Sequence, residues 1–122
     1  MYNIKVGITG GLGFIGRSLA RSLSKTFKVK LLDVREPRSL PPNVEFSRCD
    51  IRDLSALREH LSDADIVIHA AVIQIPRINE EKRIAYEVNV LGTHNVCTVV
   101  DESPKIKGMI LTGSWHVFGE YD

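Results

Sequence analysis

The sequence predicts an α/β fold: a mostly parallel sheet of about five strands with helices on both faces. Three observations predict it. Short β-branched runs alternate with stretches whose apolar residues recur at helical spacing, and only helices on both faces bury a parallel sheet built that way. A glycine-rich turn joins the first strand to the first helix. An acid, Asp33, closes the second strand. The 122 residues amount to one domain at most, and 43% apolar with 25% charged is the balance of an ordinary globular chain.

The elements follow in order. Ile4 to Thr9 reads as a short buried strand running into Gly10 to Gly16. Phe14 to Lys25 is a helix with Ile15, Leu19 and Leu23 on one face. Val29 to Asp33 is the second strand, and Pro37, Pro41 and Pro42 make Val34 to Asn43 a loop. Val44 to Ser47 is the third strand, and Leu54 to Leu61 a short helix with Asp53 placed to cap it. Asp65 to His69 is the fourth strand. Asn79 to Asp101 reads as one long helix with Ile84, Val88, Leu91 and Val99 as its apolar stripe, and Pro104 lies just past its end. Lys107 to Thr112 is the fifth strand, followed by a tail without further elements.

Composition excludes several classes. A net charge of +1 carries no basic footprint for nucleic acid. No apolar run approaches the roughly 20 residues of a membrane span, and the N-terminus lacks the charged start and apolar run of a secretory signal, so the expected location is the cytoplasm. Cys49 and Cys97 are far apart and read as reduced thiols in or near the core. His60 and His94 read as helix-surface residues, no histidine pair has ligand spacing, and no metal is expected.

The strongest signal is Thr9-Gly10-Gly11-Leu12-Gly13-Phe14-Ile15-Gly16. A pyrophosphate needs a backbone bare enough to come close and a helix N-terminus whose free amides face the anion. Gly10, Gly13 and Gly16 would serve the tight turn, the close approach and the packing of helix on strand. Gly11, Gly13 and Gly16 satisfy the same spacing in a second frame. Asp33 lies at about the 20-residue offset at which an acid accepts the hydroxyls of an adenosine ribose. It would repel a 2′-phosphate, which favours NAD over NADP. Arg35 and Arg38 argue the other way, because an arginine just past this strand can accommodate that phosphate.

These residues resemble the fingerprint of the extended short-chain dehydrogenase/reductases, the NAD-dependent sugar-nucleotide epimerase/dehydratase group. Further matches follow in order: Asp50-Ile51-Arg52-Asp53 at the adenine, His69-Ala70-Ala71 along the cofactor, Asn89-Val90-Leu91-Gly92-Thr93 with Asn95 on the long helix, and Ser114-Trp115-His116-Val117-Phe118-Gly119 after the fifth strand. The resemblance covers the whole chain. It implies a Rossmann fold with strand order 3-2-1-4-5, bound NAD, a nucleotide-linked sugar as substrate, and transient hydride transfer. It assigns cofactor contacts to Gly10, Gly11, Gly13, Phe14, Ile15, Gly16, Asp33, Arg35, Asp50, Ile51, His69, Ala70, Ala71, Asn89 and Thr112. Ser114 takes the place of the catalytic serine or threonine that hydrogen-bonds the substrate oxygen. On the residues alone, Asn89 could equally tie helix to strand, Gly92 could let the helix approach the sheet, and His69 could be a packed histidine. Gly113 and Phe118 depart from the family, which favours a hydroxyl residue and tyrosine there. Trp115 and His116 fill variable positions facing the expected substrate space.

The family's general base is a tyrosine tuned by a lysine four residues on. No such pair occurs: Val6 follows Tyr2 at that spacing, Val90 follows Tyr86, and Tyr121 stands next to the last residue. The expectation is therefore a cofactor-binding half that does not turn over alone. It leaves Ile84, Val88 and Leu91 partly exposed and apt to pair two copies through the helix at 79–101. The alternatives are a stand-alone dinucleotide-sensing module and an interaction protein that binds no nucleotide.

Overall fold

The computed structural model describes residues 3–114 and 118–119. Strands β1 (Lys5–Thr9), β2 (Lys28–Asp33), β3 (Val44–Arg48), β4 (Ile66–His69) and β5 (Gly108–Leu111) form one parallel sheet in the order β3-β2-β1-β4-β5. The expected topology is the observed one. β1 is central: Ile8 faces Leu31 of β2 on one side and Ile68 of β4 on the other. The chain lays β2 and β3 on one side of β1 and then returns to lay β4 and β5 on the other. That reversal opens a crevice beyond the carboxyl ends of β1 and β4, where open α/β sheets take ligands.

Successive strand residues point to opposite faces, and two cores result. Leu32 and Val67 pack with Leu57, Leu61 and Val96 on one face, while their neighbours Leu31 and Ile68 pack with Ile8 and Ala20 on the other. Helix α1 (Phe14–Leu23) covers the second core through Gly16 and Ala20. Helix α2 (Leu54–Leu61) serves the first through Leu57 and Leu61 and is capped as expected, the Asp53 carboxylate accepting from the Ala56 amide at 3.0 Å.

The expected single helix at 79–101 is instead four segments: α3 (Arg77–Glu80), α4 (Lys82–Tyr86), a π-helical turn (Glu87–Gly92) and α5 (Thr93–Glu102). Glu81, at φ −126° and ψ 63°, leaves helical geometry and separates the first two. The π turn falls where Asn89 and Gly92 reach across to the loops after β4 and β3, and this tertiary demand overrides regular winding. The buried face changes with it. Ala85, Gly92, Val96 and Val99 are buried and Val88 packs on the core, whereas Leu91, expected in the stripe, is 44% exposed beside Tyr86 and Val90. Cys49 is buried, but Cys97 is exposed on α5 and is no core thiol. Among the described residues no helix is long and apolar enough to cross a membrane.

Candidate functional site at the carboxyl edge of the sheet

The glycine turn builds the floor of the crevice. Gly10 has φ +66°, and a Cβ there would lie 2.6 Å from the Ala71 Cα, so the turn is both left-handed and pressed against the loop after β4. A Cβ on Gly11 would meet the Leu31 side chain at 2.6 Å, and one on Gly16 would meet the Gly10 carbonyl oxygen at 2.6 Å. These three glycines seat the turn on the sheet and the helix on the turn. Gly13 differs: its Cβ would meet only the Gly10 carbonyl, at 3.2 Å, so its bareness serves the open side of the turn. Gly13 caps α1 with no side-chain bond, and the amides of Phe14, Ile15 and Gly16 have no acceptor among the described residues. Donors free at a helix start, with no carboxylate in the first turn, form an anion cradle. The side chains of Phe14 and Ile15 stand 86% and 53% exposed beside it.

Asp33 ends β2 next to this cradle and is 7% exposed. Its Oδ2 accepts from the Leu12 amide at 3.0 Å, tying turn to strand tip. Arg35 folds back over the same carboxylate: its amide and Nε donate to Oδ1 at 3.1 Å each, and Nη2 donates to Oδ2 at 3.2 Å. Burial alone would raise the Asp33 carboxyl, but the bonds from Arg35 and Leu12 hold it below the ordinary range, so it is ionised at neutral pH. Arg35, though largely exposed, is therefore the counter-ion of Asp33.

His69 corrects an expectation. Its ring is 2% exposed and does not line the crevice. Nδ1 lies 2.6 Å from the Thr9 hydroxyl and Nε2 lies 2.8 Å from the Thr93 hydroxyl. Burial pushes the imidazole below its ordinary range, keeping it neutral. The tautomer follows from proton counting. The Thr9 Oγ1 accepts from the Ala71 amide at 3.3 Å and shares the Ala70 amide with the Thr9 carbonyl, each at 3.2 Å. With both amides approaching that oxygen, the arrangement that serves every group sends the Thr9 proton to Nδ1 and leaves Nε2 as the donor to Thr93. Thr9 and Thr93, which stand in two of the motifs without an assigned role, are thus the partners of His69. A hydroxyl residue directly before the glycine turn was the available signal. Ala70 and Ala71 do stand at the crevice, held there by Thr9. Thr112 also serves the scaffold, donating from its amide and hydroxyl to the His69 carbonyl at 3.2 and 3.0 Å.

Asn89 is likewise committed. Its amide accepts from the Ile73 N–H at 2.8 Å and donates to the Ile73 carbonyl at 3.0 Å, fastening the helical stretch to the loop after β4 and not to a strand. On the other flank, the Ile51 side chain is buried, and a Cβ on Gly92 would lie 2.6 Å from it. Asn95 donates to the Ile51 carbonyl at 3.0 Å. What Ile51 can offer a ligand is its backbone N–H, which has no acceptor among the described residues. Beside it the Asp50 carboxylate is held below the ordinary range by the Arg52 side chain, whose Nη2 donates to it at 2.8 Å; Arg52 also donates to Glu87 at 3.0 Å. An acceptor and a donor on consecutive residues suit the edge of an adenine ring. Ser114 is exposed beyond β5. Trp115, His116, Val117 and Tyr121 lie outside the described residues.

A sheet reversal, an anion cradle at the first helix and an acid at the tip of the next strand define the Rossmann class of dinucleotide-binding domains. Within that class, residues 6–122 match the model of the NAD dependent epimerase/dehydratase family, and the chain belongs to that family. It is 37% identical over 116 residues to an uncharacterized protein of Sinorhizobium fredii, covering 92% of this chain and 28% of that protein. It is 32% identical over 126 residues to the D-erythronate dehydrogenase of Haemophilus influenzae, covering 95% of this chain and 39% of that protein. Among solved structures it is similar to a UDP-glucose 4-epimerase, with TM-score 0.85, 25% identity and coverage of 97% of this chain and 38% of that one. The fold also matches an Agrobacterium tumefaciens uronate dehydrogenase variant complexed with NAD, with TM-score 0.82, 21% identity and coverage of 98% and 44%. The chain thus spans less than half the length of each of these relatives.

Proposed function

We propose that this chain binds NAD across the crevice and is the cofactor-binding half of a cytoplasmic enzyme that acts on a nucleotide-linked sugar by transient hydride transfer. The observation that carries this reading is the uncapped start of α1, where Phe14, Ile15 and Gly16 present free amides over a glycine turn bare of side chains. The residues fit the group: that cradle takes the pyrophosphate, Asp33 accepts the adenosine ribose, Asp50 and the Ile51 amide read the adenine, and Ala70 and Ala71 flank the bridge. When bound, the nicotinamide supplies the hydride acceptor. Ser114 then hydrogen-bonds the substrate oxygen and holds it toward the ring. The 122 residues contain no Tyr-x-x-x-Lys pair, so the reading assigns these residues binding and positioning, with the proton taken by a base outside this set. Exposed Tyr86, Val90 and Leu91 on the 77–102 stretch fit self-association there.

Calorimetric titration with NADH tests the reading, using wild type and Gly13→Ala. A methyl at Gly13 makes one tight contact within the fold but stands on the side from which the phosphates must approach. The expected result is saturable binding by wild type, weakened at least about tenfold in Gly13→Ala with an unchanged melting temperature. A folded wild-type chain that binds neither NADH nor NADPH would sink the proposal.

A further inference from the structure

We propose that Glu87, on the π turn, is a positioning residue for the adenine edge: acting through Arg52, it fixes the direction in which the Asp50 carboxylate accepts. The inference rests on the dinucleotide site proposed above. The Asp50 side chain is held by one partner two residues away. Its Oδ1 accepts from the Arg52 amide at 3.0 Å and from Arg52 Nε at 3.1 Å, and its Oδ2 accepts from Nη2 at 2.8 Å. Nε also lies 3.2 Å from Oδ2, so its one proton is shared between the two oxygens. A carboxylate offers about four lone-pair directions, and these donors leave one of them open on Oδ2. One open acceptor, followed on the next residue by the Ile51 N–H, matches an aminopurine edge, whose amino group donates and whose ring nitrogen accepts.

Arg52 reaches Asp50 on a flexible stem, and the pair would swing together if nothing held its far side. Among the described residues its one distant side-chain partner is Glu87, whose Oε2 accepts from Arg52 Nη1 at 3.0 Å. One planar fork therefore grips Asp50 with Nε and Nη2 and Glu87 with Nη1, and its rigidity passes the position of Glu87 on to Asp50. Glu87 is itself anchored: its Oε1 accepts from Arg83 Nε at 2.8 Å, one helical turn earlier. Arg83 and Arg52 together hold its carboxyl below the ordinary range, so it is ionised at neutral pH. The π turn thus serves both flanks of the crevice. It holds the loop after β4 through Asn89, receives Ile51 at Gly92 and orients Asp50 through Glu87. Arg52 is 40% and Glu87 27% exposed, and ion pairs so placed contribute little to stability, so the clasp acts on orientation more than on folding.

The test is titration of the full chain with NADH and with its 6-deamino analogue, in which hypoxanthine replaces adenine. Hypoxanthine carries an oxygen where adenine carries the amino group, so it has no amino donor for Asp50 to orient. Wild type is compared with Glu87→Ala, Glu87→Gln, Asp50→Ala and the double alanine variant, and circular dichroism melts establish that each is folded. The expected result is a wild-type preference for NADH that falls about fivefold in Glu87→Ala, through weaker NADH binding and not through the analogue. Glu87→Gln keeps an acceptor for Arg52 and falls between, and it carries the test if the alanine variant does not fold. In the Asp50→Ala background, Glu87→Ala changes the preference no further, because the group it positions is gone. An unchanged preference in Glu87→Ala, equal weakening of both ligands, or two substitutions whose effects add would overturn the clasp while leaving the dinucleotide site standing. If wild type binds neither ligand, or both alike, the reading of the adenine edge itself fails and the clasp with it.

Discussion

Thr93→Val tests the proton accounting at His69. The change is nearly isosteric, so it leaves the packing around α5 intact and removes one hydroxyl. In the assigned tautomer the ring Nε2 donates to Thr93 at 2.8 Å, and the valine leaves that N–H with no acceptor in a site where the histidine is 2% exposed. An orphaned buried donor costs about 1–3 kcal/mol. Urea unfolding followed by far-ultraviolet circular dichroism reads this as a lower midpoint with an unchanged slope. Nitrogen-15 spectra of the wild-type ring supply the independent check, with Nδ1 bare and Nε2 protonated. A loss below about 0.5 kcal/mol, or a protonated Nδ1, would refute the assignment. It would mean that Thr9 does not spend its lone pairs on the Ala70 and Ala71 amides.

Other outcomes follow from the same geometry. Burial lowers the His69 pKa, so between that depressed value and the unfolded value near 6.5 the unfolded chain binds more protons than the folded one. This contribution to stability is complete above about pH 6.5 and is lost as pH falls toward the folded value, at up to about 1.4 kcal/mol per pH unit. Asp33 and Asp50, whose pKa values are also lowered, lose theirs only under more acid conditions, and unfolding midpoints measured from pH 8 to 4.5 should trace the His69 window. Asn89→Ala removes both bonds to Ile73 and should speed hydrogen exchange at the Ile73 amide severalfold while the amides of β1 keep their protection. A thiol reagent at pH 8 should label Cys97 quickly and Cys49 only on unfolding, because burial, with Asp53 and Asp50 nearby, pushes Cys49 up to about 11.

The fold was legible because each strand carries its own signal. The apolar runs into Thr9, Asp33 and His69 are short, β-branched and bounded by turn residues, and the five strands lie within a residue or two of their expected ranges. The stretch after Pro76 was misread as one helix because its apolar residues do recur at helical spacing. Local pattern does not record that Asn89 must reach Ile73 and that Gly92 must admit Ile51, and both contacts fall within the π turn. Cys97 was misplaced for the same reason: which face of α5 is covered depends on where the sheet ends, and Ile110 and Leu111 of the edge strand β5 are themselves 56% and 60% exposed.

The site was legible in position more than in role. Gly10, Gly11, Gly13 and Gly16 all lie in the one turn, three of them because the fold itself leaves no room for a Cβ and Gly13 because it stands on the open side. The polar side chains behave differently. His69, Asn89 and Thr112 were read as touching the cofactor, yet each is bonded to the protein itself, and Thr9, Thr93 and Asn95 join them. Three of these contacts hold loops that follow strands: Thr9 holds Ala70 and Ala71, Asn89 holds Ile73, and Asn95 holds Ile51. A surface made of backbone amides needs its loops fixed in place, and buried hydrogen bonds fix them where apolar packing alone would let them slide. A residue type specified by such a framework gives the same sequence signal as one specified by a ligand, and only the geometry separates them. Asp33 is the exception that fits both descriptions. It anchors the Leu12 amide as a framework residue does, and it stands ionised at the tip of β2, where the proposed ribose would approach.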